Sequence, residues 1–331
     1  MNNLLKPFWN PNDKRLRAFW RVILHFLLIF AGLQSTTAVL RPLFSGAGSS
    51  SDSGPDPIAN MVALLLTGLI YVVVTIAAAK YLDRRSFSDY GLVWNTQWRR
   101  DLLFGLHLGG FLMGGIFVIE LAMGWITIEG MFVTLMPFPF FVAFLIFLVQ
   151  MTLVGTYEEL VFRGYQMKNI AEGLNFGPLS TRTSLFLAWI VTSILFGLIH
   201  AANPGATVGT TLKITLAGVF LALPFLLTGE LALSIGVHIA WNFFQGNVFG
   251  FPVSGLTFFR TTIFNTVQGG PDLWTGGGFG PEAGLLGFTG IIVGSLAMIW
   301  WVKRTRGTLD LSLSLAEYRR PPPTKVPSEL F

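Results

Sequence analysis

The sequence predicts an all-α fold, a polytopic transmembrane helical bundle of about eight spans. Hydrophobic residues make up 52% of the 331-residue chain, charged residues only 12%, and the mean hydropathy is +0.62. Soluble domains carry about 25% charged residues, so this chain has too little polar surface for a soluble globule. Long apolar runs recur along it, and in lipid such runs must satisfy their backbone polar groups internally, which predicts helices.

Eight segments are long and apolar enough to span a bilayer, which takes about 20 mostly apolar residues. Pro137 and Pro139 lie near the start of the fourth segment, so its regular helix is expected to begin after them. The third segment carries glycines at four-residue spacings, which would let a neighbouring helix approach closely. The predicted spans cover residues 18–40, 59–81, 101–124, 134–157, 183–202, 209–228, 231–250 and 283–302.

The basic residues predict the orientation of the chain. If the spans alternate in direction, every Lys and Arg except Arg41, Lys213 and Arg260 lies on the same side of the membrane. The positive-inside rule makes that side cytoplasmic, so both termini are expected there. We therefore expect a multi-pass protein of the cell membrane, in contact with lipid head groups.

Composition also excludes several classes of function. The net charge of +5 comes from residues flanking apolar segments, which does not indicate a nucleic-acid partner. Cysteine is absent, which excludes disulfides, a cysteine nucleophile and thiolate metal ligands.

Four regions follow from the pattern of spans and loops. Residues 1–130 hold N-terminal transmembrane helices, and residues 131–250 hold most of the polar residues found inside apolar spans. Residues 251–306 form an outer loop and the last transmembrane helix. Residues 307–331 are expected to be a disordered cytoplasmic tail, because they are polar and contain Pro321-Pro322-Pro323.

Two adjacent glutamates mark the end of the fourth predicted span. Ionisable residues inside apolar spans are costly and usually functional. Side chains of Glu158 and Glu159 diverge by about 100° on a helix, whereas Glu159 and Arg163 are spaced i, i+4 and can pair. Glu158 has no sequence-local partner, and a carboxylate in an apolar site suits general acid or base catalysis. The alternative is an ion-paired helix end at the cytoplasmic interface.

Two further polar pairs lie in the fifth and seventh predicted spans. Phe196 and His200 share one helix face by i, i+4 spacing, as do His238 and Asn242. Taken alone, His200 is better explained as a packing or capping histidine. His238 and Asn242 need partners inside hydrocarbon, which predicts an inward polar site or an interhelical hydrogen-bond clamp.

In order along the chain, these segments resemble the motifs EExxxR, FxxxH and HxxxN of the CAAX-protease (CPBP) family. That family includes the type II CAAX prenyl endopeptidases and bacterial abortive-infection (Abi)-like proteins. Here the motifs read Glu158-Glu159-Leu-Val-Phe-Arg163, Phe196-Gly-Leu-Ile-His200 and His238-Ile-Ala-Trp-Asn242. The resemblance covers about residues 130–250, which would make residues 131–250 a CAAX-protease-like catalytic core.

The resemblance implies an intramembrane endopeptidase that acts on a membrane-associated peptide or protein. Glu158 and His200 would position and deprotonate a water molecule, while His238 and Asn242 would stabilise the oxyanion of the tetrahedral intermediate. Supporting residues would be Phe196 and the pair of Glu159 and Arg163, which would hold Glu158 in place.

The family is described both as metalloproteases and as metal-independent glutamate proteases, and the residues allow either. If the enzyme is zinc-dependent, Glu158, His200 and His238 would be the Zn²⁺ ligands, an acceptable catalytic set with one water. The resemblance slightly favours this metalloendopeptidase form, although the sequence has no H-E-x-x-H motif.

Two other functions would also use buried polar residues: a non-catalytic membrane scaffold or bacteriocin-immunity protein, and a transporter. A protease requires Glu158, His200 and His238 to converge on one site. Upright spans with the predicted boundaries would place these residues at different depths. Convergence therefore requires that the fourth helix continues past Gly164, or that the fifth begins inside the bilayer.

Overall fold

A computed structural model describes residues 6–45, 57–257 and 261–318. Within those ranges seven helices are long and apolar enough to cross a membrane, which confirms a polytopic helical bundle. The α-helices are α1 Ala18–Ser45, α2 Pro57–Ala77, α3 Thr96–Ala122, α4 Phe140–Glu159, α5 Lys168–Leu174, α6 Thr181–Ile199, α7 Val208–Thr228, α8 Ala232–Phe243, α9 Asp272–Thr275 and α10 Leu285–Arg306. A π-helical segment, Ala78–Asp83, extends α2.

Helix α8 corrects the predicted span 231–250. It has 12 α-helical residues, followed by a five-residue π-helical segment, Phe244–Val248, and it is not one of the seven long helices. Nearly all its side chains are buried, because α3, α4 and α7 pack around it. A helix enclosed by protein need not match the bilayer thickness, so α8 is a central core helix.

Glycines bring α3 and α8 into close parallel contact. A Cβ added to Gly105 would lie 2.6 Å from the carbonyl oxygen of Leu233, and one added to Gly236 would lie 2.4 Å from that of Leu102. Gly109 approaches the backbone one turn further along α8, at Val237. The small residues predicted to permit close helix packing therefore do so here, against the helix that carries His238.

The fourth predicted span is much longer than residues 134–157. It begins at Phe140, directly after Pro139, as the prolines predicted. It does not end at residue 157, because α4 runs through a π-helical segment, Leu160–Met167, into α5 as a continuous 35-residue helix, Phe140–Leu174. Glu159 and Arg163, which suggested a helix end, are buried and paired with each other within the protein.

Two short sheets were not predicted. Strands β1 Trp9–Asn10 and β2 Arg15–Leu16 form a hairpin before α1. Strand β3 Ile126–Thr134 follows α3 and pairs antiparallel with β4 Thr261–Gln268, which lies in the predicted outer loop. The β3–β4 sheet is thus a structured element at the end of α3.

The first part of the predicted disordered tail is packed against the helices. After α10 ends at Arg306, Leu315 and Ala316 are buried, and the backbone N–H of Ser312 donates to the carbonyl oxygen of Leu226. The Ala316 carbonyl accepts a hydrogen bond from Asn175. The prediction of disorder therefore does not hold for residues 307–318; residues 319–331 lie outside the described residues.

Candidate active site

The continuous fourth helix places Glu158 far from either end of its span. Glu158 lies 18 residues after Phe140 and 16 residues before Leu174, or about 27 and 24 Å at a rise of 1.5 Å per residue. The continuation past Gly164 thus resolves the conflict in depth between Glu158 and the two histidines.

Glu159 contacts His238 across the boundary between α4 and α8. Its Oε1 lies 2.8 Å from His238 Nδ1 and also accepts a hydrogen bond of 3.0 Å from Arg163 Nη1. All three residues are almost completely buried. The predicted i, i+4 pair of Glu159 and Arg163 is therefore present. Glu159 also binds His238 directly, a contact that the sequence did not predict.

Arg163 links three helices behind the site. Its Nη2 donates a hydrogen bond of 3.0 Å to the carbonyl oxygen of Gly218 on α7, and its guanidinium carbon lies 4.4 Å from the ring centroid of Phe196 on α6. A planar cation bound on its edge and on its face fixes the relative positions of these helices.

Both histidine rings have one nitrogen bound and the other available. His200 Nδ1 lies 2.7 Å from the carbonyl oxygen of Phe196. A carbonyl can only accept, so Nδ1 carries the proton, and Nε2 is left as an acceptor in the neutral ring. In His238, Glu159 binds Nδ1, and Nε2 lies 3.8 Å from Glu158 Oε2.

One cavity of about 130 Å³ is lined by the four predicted catalytic residues. Its wall includes Glu158 from α4, His200 from the end of α6, and His238 and Asn242 from α8. The Phe196 ring also lines it, with its centroid 4.8 Å from the His200 ring and 6.2 Å from the His238 ring. Most of the remaining wall is apolar and comes from Leu64, Met151, Val154, Ile214, Ala217, Phe220, Leu221, Val237, Trp241, Val253, Leu256 and Ile291.

Part of the cavity wall is a turn that sequence reasoning missed. Ser254 and Gly255 both have positive φ, as a tight type I′ turn requires, and Val253 bridges to Leu256. Asn203, three residues after His200, donates a hydrogen bond of 2.8 Å to the Ser254 carbonyl oxygen. The Ser-Gly dipeptide was a usable turn signal, but its distance from the motifs gave no link to the site.

Glu282 holds this turn from the other side, also without a sequence signal. Its Oε1 accepts the backbone N–H of Ser254 at 2.5 Å, and its Oε2 accepts the amide of Gln245. Burial raises the pKa of the Glu282 carboxyl to about 7, against the opposing effect of these hydrogen bonds. A buried titratable carboxyl group therefore forms part of the cavity wall.

The donor types in the cavity fit a zinc ion, since Glu158 supplies a carboxylate and His200 and His238 each have Nε2 available. Binding of their Nδ1 atoms to a carbonyl and a carboxylate is the usual support for metal-binding histidines. As they stand, no three His, Asp or Glu side chains of the described residues are close enough together to hold one ion. Zinc dependence stays a prediction.

Comparison with known proteins identifies the segment that carries the site. Residues 140–244, about a third of the chain, match the family model described as type II CAAX prenyl endopeptidase Rce1-like. The match begins at the first residue of α4 and ends just after α8, so it includes all three motifs. No curated protein and no solved structure matches the chain significantly. Residues 140–244 of this multi-pass membrane protein are thus similar to a family of CAAX prenyl endopeptidases, and the similarity covers the whole segment that carries the three motifs.

Proposed function

We propose that this protein is an intramembrane endopeptidase that hydrolyses a peptide bond of a membrane-associated protein or peptide. The observation that carries the proposal is that Glu158, His200, His238 and Asn242 line one cavity although they come from three helices. A scaffold needs no such convergence.

The proposed reaction begins with a water molecule between Glu158 and His200. Glu158 takes its proton as general base, while the lone pair of His200 Nε2 orients it by accepting a hydrogen bond. The oxygen attacks the carbonyl carbon of the scissile peptide bond and forms a tetrahedral intermediate. Glu158 then returns the proton to the leaving nitrogen as the C–N bond breaks.

His238 and Asn242 supply the proposed oxyanion site. The Asn242 amide can donate an N–H, and His238 can donate from Nε2 when its ring carries both protons. Glu159 binds Nδ1 of His238, and Glu158 Oε2 lies 3.8 Å from Nε2, so both ring nitrogens face a carboxylate. Donors fixed in a buried site stabilise an oxyanion without reorganising, which contributes a large part of catalysis.

In the zinc-dependent form of the proposal, Glu158, His200 and His238 would hold the ion. It would supply a Lewis acid and a bound water of lowered pKa. The roles of Asn242, Glu159 and Arg163 would be unchanged.

The substrate is proposed to enter with an apolar segment, because most of the cavity wall is aliphatic or aromatic. The family name adds a prenylated carboxyl-terminal peptide as one substrate to test. We further propose that the protein lies in the cell membrane with both termini in the cytoplasm, as the distribution of Lys and Arg predicts.

The test is cleavage of a quenched-fluorescence peptide library, with prenylated and unprenylated members, by the detergent-purified protein. We expect turnover by the wild type and its loss in Glu158→Gln, which keeps the shape of the side chain but removes the base. Glu129→Gln is the matched control, because Glu129 is exposed on β3, far along the chain from every motif.

A chelator added to the active wild type separates the two mechanisms. Loss of turnover that added Zn²⁺ restores supports the metalloendopeptidase, and unchanged turnover supports the metal-free glutamate protease. If wild type and Glu158→Gln are equally folded and equally inactive on the whole library, the proposal fails in favour of a membrane scaffold or immunity protein.

A further inference from the structure

A second cavity lies on the side of the bundle where Lys and Arg are concentrated, at the ends of α2, α7 and α10. It has a volume of about 260 Å³, far more than the roughly 30 Å³ of one water molecule. Its wall combines two cations with carboxylates and hydroxyl groups. We call it the Lys168 pocket; its polar lining is Arg85, Ser88, Asp89, Lys168, Thr228, Glu230, Ser312, Ser314 and Glu317.

Lys168 faces this pocket without a bound acceptor. It is only 5% exposed, yet no hydrogen bond or ion pair joins its ammonium group to any of the described residues. Glu172, one turn later on α5, would be the usual i, i+4 partner. That carboxylate is instead bound by Arg15, Arg21 and Arg85.

Arg85 adds a second cation to the same wall. Its Nη atoms bind Glu172 and the Glu317 carbonyl oxygen. A cation that is almost completely buried is costly without an anionic partner, and Lys168 has no such partner among the residues that the structure describes. An anionic group in the pocket would pair with the Lys168 ammonium group and lie beside Arg85.

The acidic lining restricts what that ligand is. Asp89, Glu230 and Glu317 all line this cavity, so a purely anionic ligand would meet three acidic residues. Glu230 has one oxygen bound by Arg306, and Asp89 has one oxygen bound by the backbone N–H of Ser86. A ligand that carries an ammonium group next to its phosphate would complement both signs of charge.

The position of the pocket indicates a membrane lipid as the source of that ligand. Val93 lines the pocket, and the next residue, Trp94, is 72% exposed. Tyr81, at the end of the α2 helix, is 69% exposed and lies beneath Lys80. Exposed Trp and Tyr side chains with nearby lysines are typical of the head-group level of a bilayer.

We propose that the Lys168 pocket binds the head group of a phosphatidylethanolamine-type lipid. The phosphate contacts Lys168 and Arg85, and the ammonium group contacts Asp89 and Glu230. This binding site is separate from the cavity of Glu158 and His200 and is independent of the proposed protease activity.

The test measures thermal unfolding of detergent-purified protein during titration with dihexanoyl phosphatidylethanolamine. We expect the lipid to raise Tm of the wild type and Lys168→Gln to weaken the apparent Kd by roughly tenfold or more, as loss of a charged hydrogen bond implies. Lys80→Gln is the matched control: it removes the same charge from an exposed site at the same level, and its response should equal that of the wild type.

Other ligands test which charges of the head group are needed and whether the bound ligand is a lipid. Dihexanoyl phosphatidylcholine, whose head group lacks N–H donors, and phosphatidylglycerol, which lacks the cation, should both bind more weakly. Equal stabilisation by phosphatidylglycerol would overturn the role of the carboxylates, and equal stabilisation by inorganic phosphate would overturn the lipid source.

A second Lys168 variant and a titration in Glu158→Gln complete the test. If Lys168→Gln fails to fold, Lys168→Met replaces it, since this change removes the buried cation without adding a buried amide. The titration is repeated in Glu158→Gln, where an unchanged Tm response is expected whatever the outcome for protease activity. No response of the wild type to any lipid, or an equal response of the Lys168 variant, refutes the site.

Discussion

Glu159 determines which nitrogen of His238 faces the cavity. Because its carboxylate binds Nδ1, the ring is held with Nε2 toward Glu158 and the proposed oxyanion site. Arg163 in turn binds the same carboxylate and joins it to α7. In the proposed mechanism the two adjacent glutamates have different tasks: Glu158 would contact the reacting groups, and Glu159 would position the histidine.

Glu159→Gln should lower kcat of the peptidase more than it changes KM. The amide keeps the size of the side chain but binds Nδ1 less strongly and favours the wrong ring orientation, and losses of about 10- to 100-fold are usual for such supporting residues. Steady-state kinetics on the best library peptide provides the measurement. An effect confined to KM would mean that Glu159 acts on substrate binding and does not position His238.

Glu282 should make the stability of the folded protein depend on pH near neutrality. Its carboxyl pKa is raised to about 7 in the fold, above the ordinary value of 4.5. The folded state therefore binds the proton more tightly, so its contribution to stability is present below about pH 4.5 and is lost as pH rises through 7. Lys213 is a cation close to this carboxyl group, since its ammonium group donates to the carbonyl oxygen of the next residue, Ala283.

The measurement compares Tm of the wild type and Glu282→Gln in detergent between pH 5 and pH 8. The wild type should lose stability relative to the variant as pH rises, because only the wild type must bury a charge. Parallel curves would show that the Glu282 carboxyl has the same pKa in the folded and unfolded states.

At the scale of elements, the crossing of α3 and α8 offers a controlled test of packing. Gly105→Ala places a methyl group 2.6 Å from the Leu233 carbonyl oxygen, so the helices must separate, and a cost of about 1–3 kcal/mol is expected. Gly115, ten residues later on α3, has no atom within 4 Å of the added Cβ.

Gly115→Ala should therefore be neutral or slightly stabilising, since alanine favours helix. Thermal unfolding of the two variants in one detergent gives the comparison. Equal changes of stability in both would mean that the close approach of α3 to α8 does not limit the size of residue 105.

Local hydropathy predicted most of the long helices but not the end of the fourth. Glu158, Glu159 and Arg163 suggested a helix end, yet the helix continues to Leu174. There Glu172 is bound by Arg15 and Arg21, more than 140 residues away in the chain. Partners so remote leave no signal in the local pattern. The sheet of β3 and β4 was not predicted for the same reason, because it pairs residues as far apart in the chain as Ile126 and Gln268.

The three motifs predicted the predominantly polar part of the cavity, since i, i+4 spacing on a helix places side chains on one face without knowledge of the fold. The part of the cavity wall formed by Ser254 and Glu282 was not predictable in this way. Ser254 and Glu282 lie in the segment between α8 and α10, and only the folded chain brings them beside Asn203.

For the molecule as a whole, residues 307–318 connect the first and last helices of the bundle. The Tyr318 ring lies under two guanidinium groups, with centroid distances of 3.2 Å to Arg15 and 4.9 Å to Arg85. Arg15 precedes α1, and Arg85 follows the π-helical extension of α2. Both also bind Glu172 on α5, so one tyrosine stabilises the junction of three helices.

Tyr318→Ala should lower stability by about 1 kcal/mol through the loss of both cation–π contacts, a decrease of about 2–4 °C in Tm for a domain of this size. The control is Tyr81→Ala, which removes an equally large ring from an exposed position at the same end of the bundle. If residues 307–318 stabilise the bundle, proteolysis within them should become faster in Tyr318→Ala but not in Tyr81→Ala. The reason is that loss of the Tyr318 ring releases the whole segment from the helices. Equal Tm values and equal cleavage rates for the two variants would show that this segment lies on the bundle without stabilising it.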